Sequence, residues 1–356
     1  MTDGNGQGNG RSGETPHTGR GVEVQLTKKD FESDQDVRWC PGCGDYAILA
    51  TVQSFMPELA IERSNIVFIS GIGCAARFPY YMETYGFHSI HGRAPSLASG
   101  LAVARPELDV WVVTGDGDSL SIGGNHLIHA MRRNVNMTVL MFNNQIYGLT
   151  KGQYSPTSEI GKVTKSTPFG STDYPFNPVS LALGAECTFV ARTIDNDRKH
   201  LTDILRKAVA HRGTKFIEVY QNCNIFNDGA FDAVRDPRSG RGNRIYLEDG
   251  QPIQFGPSQE KGVVATTDGT LRIVDVEEVG AQRLLVHDEN ALDATRAFAL
   301  SRLSHTPTGP TPIGVFRSVE RPVYEDLVTQ QIETAREHSS PDLDKLLRSG
   351  ETWTVN

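Results

Sequence analysis

Two short motifs hold the residues best suited to bind a metal ion together with a phosphate group. Gly115–Asp118 (GDGD) follows the apolar run DVWVVT, and Asn143–Asn144 follows the apolar run MTVLMF. Glycine lets the backbone approach a diphosphate closely, and Asp116 supplies the hard oxygen that Mg²⁺ prefers. Asn144 adds an amide oxygen and Ile146 a backbone carbonyl. Each motif alone is a common turn, but the two together predict a site for Mg²⁺ and a diphosphate.

Four of the five cysteines stand at positions typical of metal ligands. Cys40 and Cys43 form a Cys-x-x-Cys pair, Cys74 follows the apolar run NIVFIS, and Cys223 follows the run KFIEVY. Five cysteines do not make a disulfide framework in a chain of this size. Four thiolates bind either a 4Fe-4S cluster or a structural zinc ion, and spacing does not separate the two. Cys187 lies beside an apolar strand and is predicted to be a buried core thiol.

Strands and helices that alternate between about residue 44 and residue 220 must position these motifs. Continuous apolar strands separated by helices are typical of an α/β fold, with a parallel sheet and helices on both faces. Ligands of such sheets bind at the carboxyl ends of the strands. The predicted strands are Asn65–Ser70, Asp109–Thr114, Met137–Phe142, Thr188–Thr193 and Lys215–Tyr220. The predicted helices are Asp45–Phe55, with Asp45 as its capping residue, Ser99–Ala104, His126–Arg133 and Arg198–His211.

Composition and charge exclude several classes of protein. The 356 residues are 38% hydrophobic and 22% charged, which is typical of a globular protein with a core. The net charge of −8 argues against nucleic-acid binding. No apolar run approaches the roughly 20 residues that span a bilayer. The N-terminus lacks the layout of a signal peptide, so we expect a cytoplasmic protein that does not bind membranes.

The chain is predicted to divide into three regions. Residues 1–21 are rich in Gly, Asn, Thr and Ser and are predicted to form a disordered tail. Residues 22–230 hold the motifs and form the ligand-binding domain. Residues 231–356 form a C-terminal extension, with a strand at Leu271–Val276 and a helix near Val323–His338, that packs on the main domain or on a partner.

Taken jointly, the motifs resemble those of a known enzyme family. The pair GDG and NN resembles the thiamine-diphosphate motif, with matched spacing. Trp39–Asp45 (WCPGCGD) and Asn143–Ser158 (NNQIYGLTKGQYSPTS) resemble the β subunit of 2-oxoacid:ferredoxin oxidoreductases, and the resemblance covers about residues 35–230. It implies the thiamine-diphosphate-binding fold, with thiamine diphosphate, Mg²⁺ and one 4Fe-4S cluster as cofactors.

The resemblance also implies roles for individual residues. The implied Mg²⁺ ligands are Asp116, Asn144 and the carbonyl of Ile146. The implied cluster ligands are Cys40, Cys43, Cys74 and Cys223. Cofactor contacts are expected at Gly73, Gly92, Gly115, Asp116, Gly117, Asp118, Asn144, Ile146, Gly148 and Leu149. His91 and Arg93, in the segment FHSIHGRAPS ahead of a helix, are expected to contact the diphosphate or the substrate carboxylate, although a surface loop is the alternative.

Lys151 departs from the family pattern and bears on the substrate. Many relatives read Thr-Gly-Gly-Gln where this chain reads Thr150-Lys151-Gly152-Gln153. A lysine near the thiamine could pair with a second carboxylate on the substrate. This favours 2-oxoglutarate over pyruvate, unless Lys151 is a solvated lysine on a mobile loop.

The predicted activity is the oxidative decarboxylation of 2-oxoglutarate to succinyl-CoA, with electrons passed through the cluster to ferredoxin. The family places the catalytic glutamate on the α subunit, so the resemblance implies an α subunit as partner in an α2β2 assembly, with coenzyme A and ferredoxin as acceptors. Three alternatives stay open at this point: the same chemistry on pyruvate or a branched-chain 2-oxoacid, a non-redox thiamine-dependent carboligase or decarboxylase with structural zinc, and an electron-transfer or scaffold subunit without thiamine.

Overall fold

The computed structural model describes residues 26–236, 240–303, 309–339 and 341–355. The tail predicted at residues 1–21 lies outside the described residues. The strands are β1 (Ile66–Ser70), β2 (Tyr85–His88), β3 (Asp109–Gly115), β4 (Met137–Asn143), β5 (Phe189–Ile194), β6 (Thr214–Tyr220), β7 (Arg244–Leu247), β8 (Gln254–Phe255), β9 (Lys261–Ala265), β10 (Leu271–Asp275) and β11 (Thr311–Ser318). The α-helices are α1 (Asp45–Phe55), α2 (Ala94–Ala104), α3 (Asp116–Leu120), α4 (Gly124–Arg133), α5 (Pro178–Gly184), α6 (Arg198–Ala210), α7 (Asp232–Arg235), α8 (Val276–Val279), α9 (Thr295–Ser301), α10 (Tyr324–His338) and α11 (Leu343–Leu347).

In the part of the chain that the structure describes, eight strands form one sheet in the order β2-β1-β3-β4-β6-β5-β11-β7. The six strands from β2 to β5 pair in parallel, whereas β11 is antiparallel to β5 and parallel to β7. The predicted parallel α/β sheet is therefore confirmed, with two edge strands that run the opposite way. No strand was predicted at β2, because its four residues are all exposed and do not form an apolar run.

Helices cover both faces of this sheet, which explains why its central strands are apolar throughout. Successive side chains of a strand point to opposite faces. In β3, Val110 and Val112 join the core under α2, α4 and α5, while Trp111 and Val113 join the core under α1 and α6. Neither face is left for water, so both sets of positions must be apolar.

The C-terminal region supplies part of the main sheet. Strands β7 and β11 both lie beyond residue 230 and form one edge of the eight-stranded sheet. Strands β8, β9 and β10 form a separate antiparallel sheet. The expected strand at Leu271–Val276 corresponds to β10, and the expected helix near Val323–His338 corresponds to α10. Within the described ranges, no helix has both the length and the apolar character that crossing a bilayer requires.

Candidate functional site

A cavity lies at the carboxyl ends of β1, β3 and β4, where the predicted motifs meet. Its volume is about 170 Å³. The predicted residues that line it are Gly73, Cys74, His91, Gly115, Asp116, Gly117, Asp118, Asn144, Ile146, Gly148 and Leu149. The sequence places these residues far apart, and the parallel strand order brings them to one edge of the sheet.

Asp116 is buried at the start of α3 and is held by two hydroxyl groups. The side chains of Ser155 and Thr157 each lie 2.5 Å from its Oδ2 atom. Burial raises the pKa of Asp116, while the hydroxyl contacts lower it. A buried carboxyl of this kind is stabilised in its charged form when a cation binds beside it.

Asn144 and Ile146 lie in one tight turn after β4. Gln145, between them, has a φ angle of 55°, in the left-handed region that disfavours ordinary side chains. The Asn144 Oδ1 atom accepts the Ile146 backbone N–H at 3.2 Å, and the Asn143 Oδ1 atom accepts that of Gln145 at 3.2 Å. The turn therefore brings the two expected ligands together at the expense of backbone strain at Gln145.

A buried ion pair orients the Asn143 side chain. Asn143 donates its Nδ2–H to Glu218 Oε1 at 2.7 Å, and Glu218 Oε2 accepts from Arg192 Nε at 2.6 Å. Glu218 and Arg192 are 0% and 3% exposed. This arrangement fixes which end of the Asn143 amide faces Gln145, because only the carbonyl end can accept the Gln145 N–H.

Asp118 joins three segments around the cavity. Its Oδ1 atom accepts the backbone N–H groups of Ile72 and Gly92 at 3.1 and 2.7 Å and lies 2.6 Å from His91 Nδ1. Its Oδ2 atom accepts from the Thr114 hydroxyl at 2.8 Å. Gly71 must be glycine here, because a Cβ atom would lie 1.8 Å from the Asp118 carboxylate. The contact with Asp118 puts a hydrogen on His91 Nδ1, which leaves Nε2 available to a ligand.

The four predicted cysteine ligands are carried by three loops that hydrogen bonds join at the rim of this cavity. Trp39 donates its indole N–H to the Cys74 carbonyl at 2.8 Å, and Gly44 donates its N–H to the Asn222 carbonyl at 3.2 Å. A Cβ atom on Gly148 would lie 3.5 Å from the Cys74 sulfur and 3.6 Å from the Cys223 sulfur. All five cysteines are free thiols, and Cys187 is buried in the core as predicted.

The protonation of these thiols reflects their surroundings. Burial raises the pKa of Cys43 and that of Cys74, the latter to about 12, and the Asp45 carboxylate and neighbouring thiols raise both further. Thiolates here would need a compensating positive charge. Among the described residues, no three or more His, Cys, Asp or Glu side chains stand in an arrangement that would hold a metal ion.

The structure places Gly92, Arg93 and Lys151 outside the lining of the cavity. Arg93 donates to the backbone carbonyls of His91 and Ile122 at 3.2 and 3.3 Å, so its guanidinium holds the loop together. Lys151 is exposed on the turn after Gly148, with a φ angle of 74°. Over residues 26–236 and the other described ranges, no carboxylate lies within ion-pair distance of Lys151.

Asp45 was predicted to cap α1, and this prediction was wrong. The helix begins at Asp45 itself, with Gly44 as its cap, and no side chain caps it. Asp45 instead lines the cavity, and neither of its buried carboxylate oxygens has a hydrogen-bond partner of normal geometry among the described residues. Burial raises its pKa to about 7. Its place two residues after Cys43 of the Cys-x-x-Cys pair was the signal that could have identified it.

Sequence reasoning also did not identify six other lining residues, which are Ile72, Ala75, Phe142, Tyr147, Thr150 and Gln221. Gln221 is the most informative of them. Its Oε1 atom accepts from Asn144 Nδ2 at 2.8 Å, and its Nε2 atom donates to the Cys43 sulfur at 3.2 Å. Only the folded arrangement of β4, β6 and the Cys-x-x-Cys loop brings these groups together.

Comparisons with known proteins agree with this site. The profile of the family described as thiamine pyrophosphate enzyme, C-terminal TPP binding domain, matches residues 71–219. The chain is 56% identical to 2-oxoglutarate oxidoreductase subunit KorB of Mycobacterium tuberculosis, over 98% of this chain and 97% of that protein. It is 45% identical to the 2-oxoacid:ferredoxin oxidoreductase subunit beta of Saccharolobus solfataricus, over 53% of this chain and 63% of that protein.

A solved structure has the same fold. It is 2-oxoglutarate:ferredoxin oxidoreductase from Magnetococcus marinus with 2-oxoglutarate, coenzyme A and succinyl-CoA bound. The match has a TM-score of 0.74 at 32% identity and covers 92% of this chain and 97% of the matched chain. This likeness agrees with the fold that the resemblance implied. The chain belongs to the family of 2-oxoacid:ferredoxin oxidoreductase β subunits.

Proposed function

We propose that this chain binds Mg²⁺-thiamine diphosphate and a 4Fe-4S cluster and serves the oxidative decarboxylation of 2-oxoglutarate to succinyl-CoA. One observation supports the proposal most. Gly148 lines the cavity that holds Asp116 and Asn144, and it also lies beside the sulfurs of Cys74 and Cys223. A metal–diphosphate site and a set of thiols therefore border the same small volume.

The residues present fit Mg²⁺ and a diphosphate. Asp116, the Asn144 amide and the Ile146 carbonyl are oxygen donors, which is the ligand type that Mg²⁺ selects. The buried oxygens of Asp45 line the same cavity, and among the described residues only the Cys43 thiol interacts with them, so they would accept a hydrogen bond from a bound group. Gly115 leaves open space beside Asp116, whereas a Cβ atom on Gly117 would lie 2.2 Å from the Tyr147 ring, so glycine at that position makes room for Tyr147.

The thiols fit an iron–sulfur cluster better than zinc. Zinc draws its ligands around a single ion and takes up no electrons, whereas these thiols border the cavity of the proposed thiamine site, where a cluster would be placed to accept electrons. A cluster needs a wider set of thiolates, because its own atoms lie between them. Cys40, Cys43, Cys74 and Cys223 would hold it, while Cys187 is enclosed in the core.

When bound, thiamine diphosphate supplies the carbon that bonds the 2-oxoacid and stabilises the charge left by loss of CO₂, and the cluster accepts electrons singly. The protein supplies orientation and charge. Asp116 and Asn144 would hold the metal and, through it, the diphosphate. His91, held by Asp118, presents Nε2 to the cavity as a hydrogen-bonding group, and Arg93 maintains the loop that carries it.

Lys151 is the residue that we assign to substrate selection. A lysine with φ near 74° is strained by about 1–3 kcal/mol relative to glycine, and such strain is retained where it serves a function. The Lys151 ammonium has no ion-pair partner among the described residues. Lys151 directly follows Thr150, which lines the cavity. This supports a dicarboxylic substrate over pyruvate or a branched-chain 2-oxoacid.

The proposal includes partners that this chain does not contain. We infer an α subunit in an α2β2 assembly that contributes the catalytic glutamate, with coenzyme A as acyl acceptor and ferredoxin as electron acceptor. The region 22–230 remains our proposed cofactor domain, with residues 231–356 completing its sheet and extending toward a partner.

The experiment is a substrate screen on the anaerobically purified complex of this chain with its α subunit, using a dye as electron acceptor. We expect a brown protein with bound iron and thiamine diphosphate that reduces the dye fastest with 2-oxoglutarate and coenzyme A. A colourless protein that contains zinc would favour the carboligase alternative. A protein without thiamine diphosphate would contradict the proposal altogether.

A further inference from the structure

Gln221 joins the two groups of cofactor-binding residues by a continuous chain of hydrogen bonds. Its side chain is 1% exposed. Oε1 accepts from Asn144 Nδ2 at 2.8 Å, and Nε2 donates to the Cys43 sulfur at 3.2 Å. The same Nε2 atom donates its second hydrogen to the Asn222 carbonyl at 2.5 Å.

The orientation of the Gln221 amide is determined by its neighbours. If the amide were rotated by half a turn, its nitrogen would face the Asn144 nitrogen and its oxygen would face the Asn222 carbonyl. Both contacts would be repulsive. The direction of the chain therefore runs from Asn144, through Gln221, to the sulfur of Cys43.

We propose that Gln221 is a positioning residue that couples the occupancy of the magnesium–diphosphate site to the reduction potential of the cluster. This inference rests on the proposed function, since it takes Asn144 as a metal ligand and Cys43 as a cluster ligand. It adds a thermodynamic link between the two sites that neither set of ligands provides alone.

The physical basis is the polarisation of hydrogen bonds in series. A cation at the Asn144 carbonyl oxygen withdraws electron density from that amide, so Asn144 Nδ2–H becomes a stronger donor to Gln221 Oε1. The same withdrawal passes through the Gln221 amide and strengthens its N–H bond to the Cys43 sulfur. A stronger hydrogen bond to a cluster sulfur stabilises the reduced, more electron-rich cluster and raises its potential.

The coupling moves one electron and no proton. The cluster takes one electron from the reductant, and Gln221 stays a neutral amide throughout. By linkage, a reduced cluster must then bind Mg²⁺-thiamine diphosphate more tightly than an oxidised one, by the same factor.

Two variants separate the two ends of Gln221. Gln221→Met removes both the acceptor and the donor, and Gln221→Glu keeps an acceptor for Asn144 but removes the N–H to the sulfur. Gln53→Met is the matched control, because Gln53 is also buried and donates its Nε2–H to the Tyr81 carbonyl, away from the thiols.

The measurement is a dithionite titration of the cluster in the complete enzyme, followed by electron paramagnetic resonance, with and without Mg²⁺-thiamine diphosphate. The charge of the bound cofactor changes the cluster potential directly in every variant. We therefore compare, between variants, the change in potential that cofactor addition causes. We expect the shift on cofactor addition to be more positive in the wild type and in Gln53→Met than in Gln221→Met. We also expect the shift on cofactor addition to be smaller in Gln221→Glu than in the wild type, because the added charge acts on the potential with and without cofactor and the N–H to the sulfur is lost.

An equal cofactor-induced shift in the wild type and in Gln221→Met would overturn the coupling, even if both variants bind iron and cofactor. Absence of iron or of bound thiamine diphosphate in the wild type would instead contradict the proposed function. Iron content and thermal unfolding of each variant identify any variant that fails to fold. If Gln221→Met does not assemble, the same comparison is made with Gln221→Glu.

Discussion

Trp39 donates its indole N–H to the backbone carbonyl of Cys74 at 2.8 Å, and this bond fastens the Cys-x-x-Cys loop to the turn after β1. Trp39 is buried and packs edge-on against Tyr46 and Tyr81, so its position is fixed by the core. The thiols of Cys40 and Cys43 are therefore held near Cys74 by packing that does not depend on a bound cluster.

From this arrangement we predict that serine at Cys40, Cys43, Cys74 or Cys223 depletes bound iron and slows dye reduction. Cys187→Ser is the control, because Cys187 donates to two backbone carbonyls in the core and lies away from the other thiols. Iron is measured by colorimetric assay on anaerobically purified protein. Iron loss in Cys187→Ser, with iron retained in the other four variants, would refute this ligand set.

Asp116→Ala is expected to weaken Mg²⁺-dependent thiamine diphosphate binding at least about a hundredfold, while the fold is retained. Burial raises the pKa of this carboxyl, and the Ser155 and Thr157 hydroxyls that donate to it have other partners, so its removal costs the unliganded protein less than the removal of Asp118. Asp118→Ala should behave differently, because it removes the acceptor of four hydrogen bonds, and each buried donor left without a partner lowers the free energy of unfolding by about 1–3 kcal/mol. Calorimetric titration and thermal unfolding distinguish the two. Undiminished cofactor binding in Asp116→Ala would mean that the metal lies elsewhere.

Asn143→Ala should weaken cofactor binding about tenfold, because the turn at Gln145 loses the acceptor that holds its positive φ angle. Glycine adopts such an angle without strain, so Gln145→Gly in the same chain should recover most of the affinity. Val139→Ala, a core change on the same strand, is the control and should lower stability without affecting binding. Failure of Gln145→Gly to restore affinity would show that Asn143 acts in another way.

Lys151→Gly is expected to raise the Michaelis constant for 2-oxoglutarate by roughly tenfold to a hundredfold and to leave that for pyruvate almost unchanged. The lost charge-assisted contact is worth about 1.5–3 kcal/mol, and only 2-oxoglutarate carries the second carboxylate. Lys165→Gly, another exposed lysine, serves as the control. An equal drop in the specificity constants for both substrates would exclude Lys151 as the selector.

The protonation of His200 should make the protein less stable as the pH falls from about 6.5 to 4. Burial lowers the pKa of His200 from 6.5 to about 4, and its Nδ1 atom bonds the Thr193 hydroxyl at 2.8 Å. The unfolded chain then binds more protons than the folded one in this window, so stability is present above it and is lost on acidification. The loss is about 3 kcal/mol in full. The free energy of unfolding of His200→Gln, measured with denaturant across this range, should depend less on pH than that of the wild type. An unchanged pH dependence would show that another group causes the loss of stability.

The central strands and the paired motifs were predictable because each has a local signature. A strand buried on both faces must be apolar at every position, as β3 and β4 are. The antiparallel insertion of β11 beside β5 was not predictable, because it depends on packing between distant segments. For the same reason the role of Gln221 could not be read from its neighbours in the sequence, although the glycine and aspartate positions around the cavity could.

The placement of β11 in the sheet has a consequence for the order in which the newly made chain can fold. Strand β5 is buried along its whole length in the folded protein and would end the sheet with unpaired backbone groups until β11 has left the ribosome. Arg192, on β5, also reaches the Pro312 carbonyl of β11. A nascent chain that ends near residue 230 therefore has an exposed edge strand, whose unpaired backbone groups can hydrogen-bond to other chains. We therefore expect completion of the last third of the polypeptide, rather than of the cofactor motifs, to protect the nascent protein from aggregation.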